Sequence, residues 1–488
     1  MIQKILLSVV LFCAACLVGF FLLIKVVDFN EYKPRIQKAI KESTGYETVI
    51  HGDISLSLSP VGVSISDVEV TNPYEPSQTP FAKLGSFDIA LDMVALVKKE
   101  IKIKHISVDN LVLSLQKNKN GQLNYLLPST AKETLTKAPI KEEIKVEGEH
   151  FQEDELFVNV TKVKFNHASI FYQDLSENNT TLSLENIDLE MNDIRFDPTK
   201  HQLQSLSFLA KTHVDTLRYA QYVFNDISMS MEMKDAMATS ENLKYTLFDT
   251  PIQGSGKFDF SGKQPKISLK HRIEGLNLNT FVKTVFNQDL LDGTADGDLK
   301  LSFFLGDAMS FKTTLNGYVH LYGKDVTLKG YNVDKLAALI DPKAPKSLDT
   351  LLSSTQALQG GKTALKELNA NVEIGYSEIR LNDVAFSTEK NRIALKGAIN
   401  IVDEKFVNFK AGLLNEKGCS VAEQTINGTF SKPKLNLEPS SVTTLTNIAV
   451  SFFKKGKADH NRTQETNTSD DNCTVFYDGV VAQPNLAQ

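Results

Sequence analysis

Leu299-Lys300-Leu301-Ser302-Phe303 reads apolar, polar, apolar, polar, apolar. Strict alternation of this kind marks a strand with one apolar and one polar face. The same period recurs in both directions from it. Ile54–Leu58, Ile101–Lys104, Leu111–Leu115, Leu182–Glu185, Met229–Met233, Ile267–Lys270, Ile379–Asn382 and Val407–Lys410 all follow it. Lys119-Asn120-Gly121, Asp292-Gly293 and Asp296-Gly297 punctuate these runs and predict antiparallel hairpins and meanders. On periodicity alone the pattern is that of a pair of β-sandwiches.

Helical patterns are few. Asn30–Ser43 carries Ile36 and Ile40 four apart and has Gly45 placed to end it. Leu278–Leu290, Val333–Ile340 and Ser347–Leu358 follow in the middle of the chain. Ser440–Lys455 opens on a serine cap and closes on cations suited to a helix carboxyl end. Pro128–Glu155 is rich in Pro, Lys and Glu and reads as a linker, and Lys457–Asn472 reads as a polar surface loop.

At 42 % hydrophobic and 23 % charged residues the chain has the material for an extensive core. A net charge of -6, with no basic stripe carrying interleaved aromatics, argues against nucleic acid as a partner. Ile5–Ile24 holds no charge, and at 1.5 Å per residue a helix of this run is about 30 Å long, the thickness of a hydrocarbon core. The alternative is a cleaved signal, with Cys16 following Cys13-Ala14-Ala15. The apolar run continues past that point to Ile24, longer than a secretory core, so an uncleaved anchor is the stronger reading.

Lys25, Lys33, Arg35, Lys38 and Lys41 follow the run, and a bare charge count would keep the body in the cytoplasm. Long domains translocate regardless of such charge. Outside the run only Cys419 and Cys473 remain. Paired, they would favour an oxidising compartment; the alternative is two unrelated buried thiols.

Chemistry-bearing motifs are absent from the sequence. The nine histidines are scattered, with no HExxH and no His or Cys pair at zinc spacing, so neither metal nor cofactor is expected. No P-loop, nucleophile elbow or dinucleotide fingerprint occurs. His213-Val214-Asp215 reads as a surface coincidence, and Asp292, Asp296 and Asp298 as turn residues, since no glutamate closes a calcium loop after them. An enzyme is not expected.

Asp28–Ile36, Thr44-Gly45, Gly52–Pro60 and Val68–Pro73 together resemble the amino-terminal module of the AsmA family of envelope proteins. Phe81–Leu91 and Asn118–Asn124 fit the same module. Ala168–Asp174, Leu291–Leu299 and Leu315–Gly317 resemble later parts of the family. Gly418-Cys419 and Asp471–Cys473 resemble its terminal cysteine pair.

The resemblance implies a bacterial inner-membrane protein with its body in the periplasm, related to TamB-like and bridge-like lipid-transfer proteins. It implies a mainly β fold: a long curved antiparallel sheet forming an open apolar groove, behind one amino-terminal transmembrane helix. The expected division is an anchor at 1–27, a helix-plus-strand module at 28–127 and a charged linker at 128–155. A β groove region at 156–438 and a disulfide-closed tail at 439–488 complete it. Leu111, Leu113, Leu115, Leu299, Leu301 and Phe303 are the expected groove residues, and Cys419 and Cys473 the expected disulfide. Phospholipids and the inner membrane are the expected partners, with outer-membrane or periplasmic proteins beside them. The expected role is lipid transport to, and biogenesis of, the outer membrane. The alternative is a scaffold for outer-membrane protein assembly with a conventionally packed interior.

Overall fold

The computed structural model describes residues 28–58, 61–74, 79–92, 103–126, 160–176, 181–197, 199–200, 202–305, 308–340, 361–430, 432–437 and 473–484. The run Ile5–Ile24, the whole of the expected linker, the helices expected at Ser347–Leu358 and Ser440–Lys455, and the loop Lys457–Asn472 lie outside the described residues. No described helix is long and apolar enough to cross a membrane. The chain divides into two compact units between Asp235 and Ala236, inside the stretch 156–438.

The first unit begins with a 3-10 turn, Phe29–Tyr32, capped by Asp28, whose carboxylate accepts from the Asn30 amide at 2.9 Å. Helix α1 (Lys33–Thr44) follows, with Pro34 in its first turn, and ends at Gly45 in the left-handed region (φ 78°) as the sequence predicts. Ten strands then form one sheet. They are β1 (Thr48–Ile50), β2 (Ile54–Leu58), β3 (Val61–Val70), β4 (Ala82–Leu91), β5 (Ile103–Asp109), β6 (Val112–Lys117), β7 (Lys162–Asp174), β8 (Thr181–Phe196), β9 (Leu206–Tyr219) and β10 (Tyr222–Lys234). β1 and β2 both pair with β3, and β5 and β6 both pair with β4, each couple sharing one lane.

β5 and β6 run parallel to β7, so the sheet is mixed, against the expected all-antiparallel arrangement. The turn tokens announced only hairpins. A parallel neighbour requires a crossover of a dozen or more residues, and the chain between Lys117 and Lys162 is long enough for one. The predicted turn at Lys119-Asn120-Gly121 is present ahead of it, with the Gly121 amide donating to the Asn118 carbonyl at 2.9 Å.

The second unit is an antiparallel meander. It contains β11 (Met237–Leu247), β12 (Thr250–Asp259), β13 (Lys266–Asn277), β14 (Leu291–Asp292), β15 (Thr294–Phe304), β16 (Asn316–Gly330) and β17 (Gly361–Gly375). β18 (Glu378–Ser387), β19 (Arg392–Asn400), β20 (Lys405–Leu414), β21 (Ser420–Thr429) and β22 (Lys432–Leu437) complete it. Each strand pairs with the next, except that β13 pairs with β15, while two-residue β14 pairs with β16 beyond Gly293. The sandwich reading fails in both units, because the described strands of each belong to a single sheet.

Asp296 and Gly297 lie inside β15 and do not form the turn the sequence predicted. Glycine serves there for close approach: a Cβ on Gly297 would fall 2.0 Å from the His320 carbonyl oxygen of the neighbouring strand. Three helices insert into this unit: α2 (Leu278–Phe286), α3 (Ala308–Thr314) and α4 (Val333–Ile340). α2 stops short of the expected Leu290, ending at Asn287 in the left-handed region (φ 52°). α3 was not expected, since two helical turns leave too little periodicity to detect.

Strands of the first unit carry a shared irregularity. Asp67, Asn110, His167, Asn186 and Asp226 all have positive φ, between 47° and 55°. At each one the apolar alternation slips by a residue: Val63 and Ile65 give way to Val68 and Val70, and Leu182 and Leu184 to Ile187 and Leu189. Glu185 and Asn186 thus share the polar face, where Glu185 pairs with Arg218 and Asn186 donates to Asp215. Registers such as Ser86 with Asp109, Asp109 with Asn166 and Ala168 with Ile187 place these bulges at one level across the sheet. Side chains satisfy the displaced amides: Asp188 accepts from the His167 N–H at 2.9 Å and Ser169 Oγ from that of Asn186 at 3.2 Å.

The last described segment, Cys473–Pro484, returns to the polar face of β18–β21. Phe476, Tyr477 and Val481 bury Ala385, Ala394 and Leu414. A disulfide joins Cys473 to Cys419, as expected for this pair, with Cα atoms 6.1 Å apart. Tyr477 donates its hydroxyl proton to Asp383 (2.6 Å) and accepts from the Val481 amide (3.1 Å), while Arg392 donates to the Val481 carbonyl (3.1 Å).

Replacing Tyr477 by Phe leaves the Val481 amide and Asp383 without that hydroxyl, and should cost about 1–3 kcal/mol. Thermal melting checks this. Thiol labelling of denatured, unreduced protein from an oxidising compartment should leave Cys419 and Cys473 unmodified.

Candidate functional site

Because neighbouring strands are in register, the apolar residues of successive strands fall into ranks crossing the sheet on one face. In the first unit one rank runs Val63, Ile89, Ile106, Val163, Met191, Ala210, Met231. Beyond the line of bulges another runs Ala82, Leu113, Ile170, Leu184, Leu217, Phe224. Leu115 lies in a third, with Tyr172, Leu182 and Tyr219. Leu111, expected within a strand, sits in the break between β5 and β6, where its carbonyl accepts from the Ser169 amide at 2.7 Å.

The second unit repeats the arrangement. Ile252, Ile273, Gly297, Leu321, Ala370, Val384 and Leu395 form one rank. Gly254, His271, Leu299, Val319, Val372 and Leu381 form the next. Leu269, Leu301, Gly317, Ile374, Ile379 and Ile399 form the third. Thus Leu111, Leu113 and Leu115 come together in one unit, and Leu299, Leu301 and Phe303 in the other. All six are half-buried.

This face is closed only locally. Ile273, Leu276, Leu278, Ala295, Val326, Leu328 and Leu365 form a buried cluster, with α2 supplying Leu278 and packing Phe281 against Phe248. Near the other strand ends, Phe311 of α3 meets Phe303 edge to face, ring centroids 5.0 Å apart. Between them, Leu301, Val319, Val372, Leu381, Leu395 and Ile399 remain half-buried, while Leu299 is half-buried against the edge of the cluster and Ile374 is buried.

Within that face lies one polar side chain that sequence reasoning missed. His271 is 2 % exposed, and neither ring nitrogen has a hydrogen-bond partner among the described residues. Its ring meets Tyr245 edge to face at 5.2 Å. Burial pushes the imidazole below its ordinary pKa and the Tyr245 phenol up to about 12. In the sequence only its position was visible: a histidine where the alternation of Leu269 and Ile273 calls for an apolar residue.

The opposite faces are polar. Lys162 and Lys164 flank Glu190 at 2.6 and 3.3 Å, and hydrogen bonds from Lys162 and Asn192 hold its carboxyl down at about 2. On the apolar face itself, one step beyond Leu115 and Tyr172, Asp174 pairs with Lys117 and, bonded to Ser176 and Lys117, is likewise held down at about 2. His213 meets Asp215 at 3.0 Å with both exposed, and Asn186 is the main cause of the lowered Asp215 pKa. The pair belongs to the bulge line. Among the described residues no group of three or more His, Cys, Asp or Glu is placed to hold a metal. Asp292 pairs with Lys329, and Asp296 accepts from the Gly275 amide.

Residues 2–234 match the family model of the AsmA family. This part of the chain belongs to the AsmA family. The match ends one residue short of the first unit's last residue, so family region and compact unit coincide. No curated protein matches the chain.

Lowered carboxylates fix the sign of the acid response. Glu190 and Asp174 have folded pKa values near 2 against ordinary values of 4.5 and 3.8. Their stabilisation is present above the ordinary values and is lost as pH falls toward 2. Melting temperature should therefore drop between pH 5 and pH 2, and less steeply in Glu190→Gln.

Proposed function

We propose that this chain binds phospholipid acyl chains along its apolar sheet faces and takes part in lipid transport and outer-membrane biogenesis in the bacterial envelope. In this reading Ile5–Ile24 anchors it in the inner membrane and the body lies in the periplasm. The observation that carries the proposal is the run of half-buried aliphatic ranks across single sheets. A closed core would bury Leu299, Leu301 and Ile379 as fully as Ile273, which is 5 % exposed. Acyl chains laid on these ranks gain about 25 cal/mol for each Å2 of apolar surface removed from water. AsmA-family membership of residues 2–234 supports a lipid-related envelope role. The disulfide supports an oxidising compartment.

The test contrasts two positions on the same face. Leu301→Asp puts a carboxylate where water can reach it, so the protein should fold but lose co-purifying phospholipid in native mass spectrometry. Ile273→Asp puts it inside the buried cluster and should unfold the second unit, a burial costing several kcal/mol. Photocrosslinkers at Leu113 and Phe303 should capture phospholipid in living cells; capture of protein alone would favour a scaffold. A reporter that fluoresces only in the cytoplasm, fused after Gln488, should stay dark.

A further inference from the structure

His271 occupies a rank otherwise apolar, with Gly254 and Leu299 as its register partners. The ring leans over Gly254: a Cβ there would lie 2.7 Å from His271 Cδ2. On one side along β13 stands Ile273 of the buried cluster; on the other stands Leu269, half-buried, paired with Leu301. The imidazole therefore sits at the border between the packed and the half-open parts of the face. A neutral imidazole always presents one N–H donor and one lone pair. Leaving both unmet in apolar surroundings is costly, and a leucine would avoid the cost.

Water alone does not resolve this, because a buried water needs two to four polar partners and, beside the Tyr245 phenol, the register neighbours Gly254, Leu299 and Val319 offer no polar side chain. An anionic phosphate does not suit it either, since Gly254, Leu299, Val319, Leu269 and Leu301 supply no cation to compensate the charge. A neutral acceptor carried by an otherwise apolar ligand fits.

We propose that His271 is a binding residue for glycerolipids, donating its ring N–H to an acyl-ester carbonyl oxygen of a lipid lying on the half-buried ranks beside Leu299 and Leu301. This rests on the lipid reading above and adds to it a preference for ester-linked chains.

The full chain, purified in mild detergent, is offered equal amounts of a diester phospholipid and its diether counterpart with identical headgroup and chain length. Bound lipid is then counted by native mass spectrometry. The wild-type chain should favour the diester about fivefold, the worth of one hydrogen bond. His271→Leu should bind both equally while melting no lower than wild type, and His271→Gln, whose amide donates, should keep part of the preference. Independently of any substitution, the infrared band of a 13C-labelled ester carbonyl should move to lower frequency on the wild-type chain. Equal occupancy on the wild-type chain, an unshifted carbonyl band, or an undiminished preference in His271→Leu would overturn the assignment and leave the groove reading standing. Failure of both lipids to bind the wild-type chain would overturn both.

Discussion

A strand turns successive side chains to opposite faces, and everything in this structure depends on keeping that alternation in phase from strand to strand. One slip in one strand would send its apolar set to the polar side. Here the slips are shared. Asp67, Asn110, His167, Asn186 and Asp226 each absorb one extra residue at the same level, so apolar ranks continue on both sides of the line. The residue types follow from the backbone: Asp, Asn and His tolerate positive φ better than β-branched residues do. Each bulge also bends its strand and increases its twist. The apolar face thus continues past each slip.

What lies against that face differs along it. Around Ile273 and Leu276 the chain closes the surface itself, with α2 laid over the strand ends and Phe281 set against Phe248. A few ranks away the same kind of side chain is only half-buried. Two energetic regimes therefore adjoin on one sheet. In the first, adding a charge strands it among packed side chains; in the second, water can solvate it. Such a division is poor design for a scaffold that needs only rigidity. Under the lipid reading proposed above, the half-buried part is where apolar ligands would be accepted and released.

The alternation that defines the strands was legible in the sequence, as were α1 with its Gly45 stop, α4 and the Cys419–Cys473 pair. So was the shared face of Leu113 and Leu115, because two residues of spacing within one strand suffice to put side chains on one face; Leu111 falls in the break before that strand. The parallel pairing of β5 and β6 with β7 was not legible, since periodicity says which way a side chain points and nothing about which strand lies beside it. Gly297 was misread for a related reason: glycine beside aspartate marks a turn locally, whereas here the constraint comes from His320 on another strand. His271 stood in plain view as an exception to the alternation. Its meaning depended on burial, which no local pattern reports.

The polar face of the second unit shows the same physics from the other side. Ala385, Ala394 and Leu414 interrupt it with an apolar strip that would lie in water if nothing covered it. The chain covers the strip with Phe476, Tyr477 and Val481, and Gly412 admits the Phe476 ring: a Cβ there would lie 2.8 Å from it. A segment this short buries too little surface to hold itself down against its own conformational entropy. The cross-link removes part of that cost, because Cys473 is tied to Cys419 between β20 and β21, next to the strip it must cover. Arg392 and Asp383 then fix its direction through Val481, Val480 and Tyr477. The polar face is thus completed by a covalently tethered piece of the chain, whereas the apolar face away from the Ile273 cluster is left half-buried by the described residues.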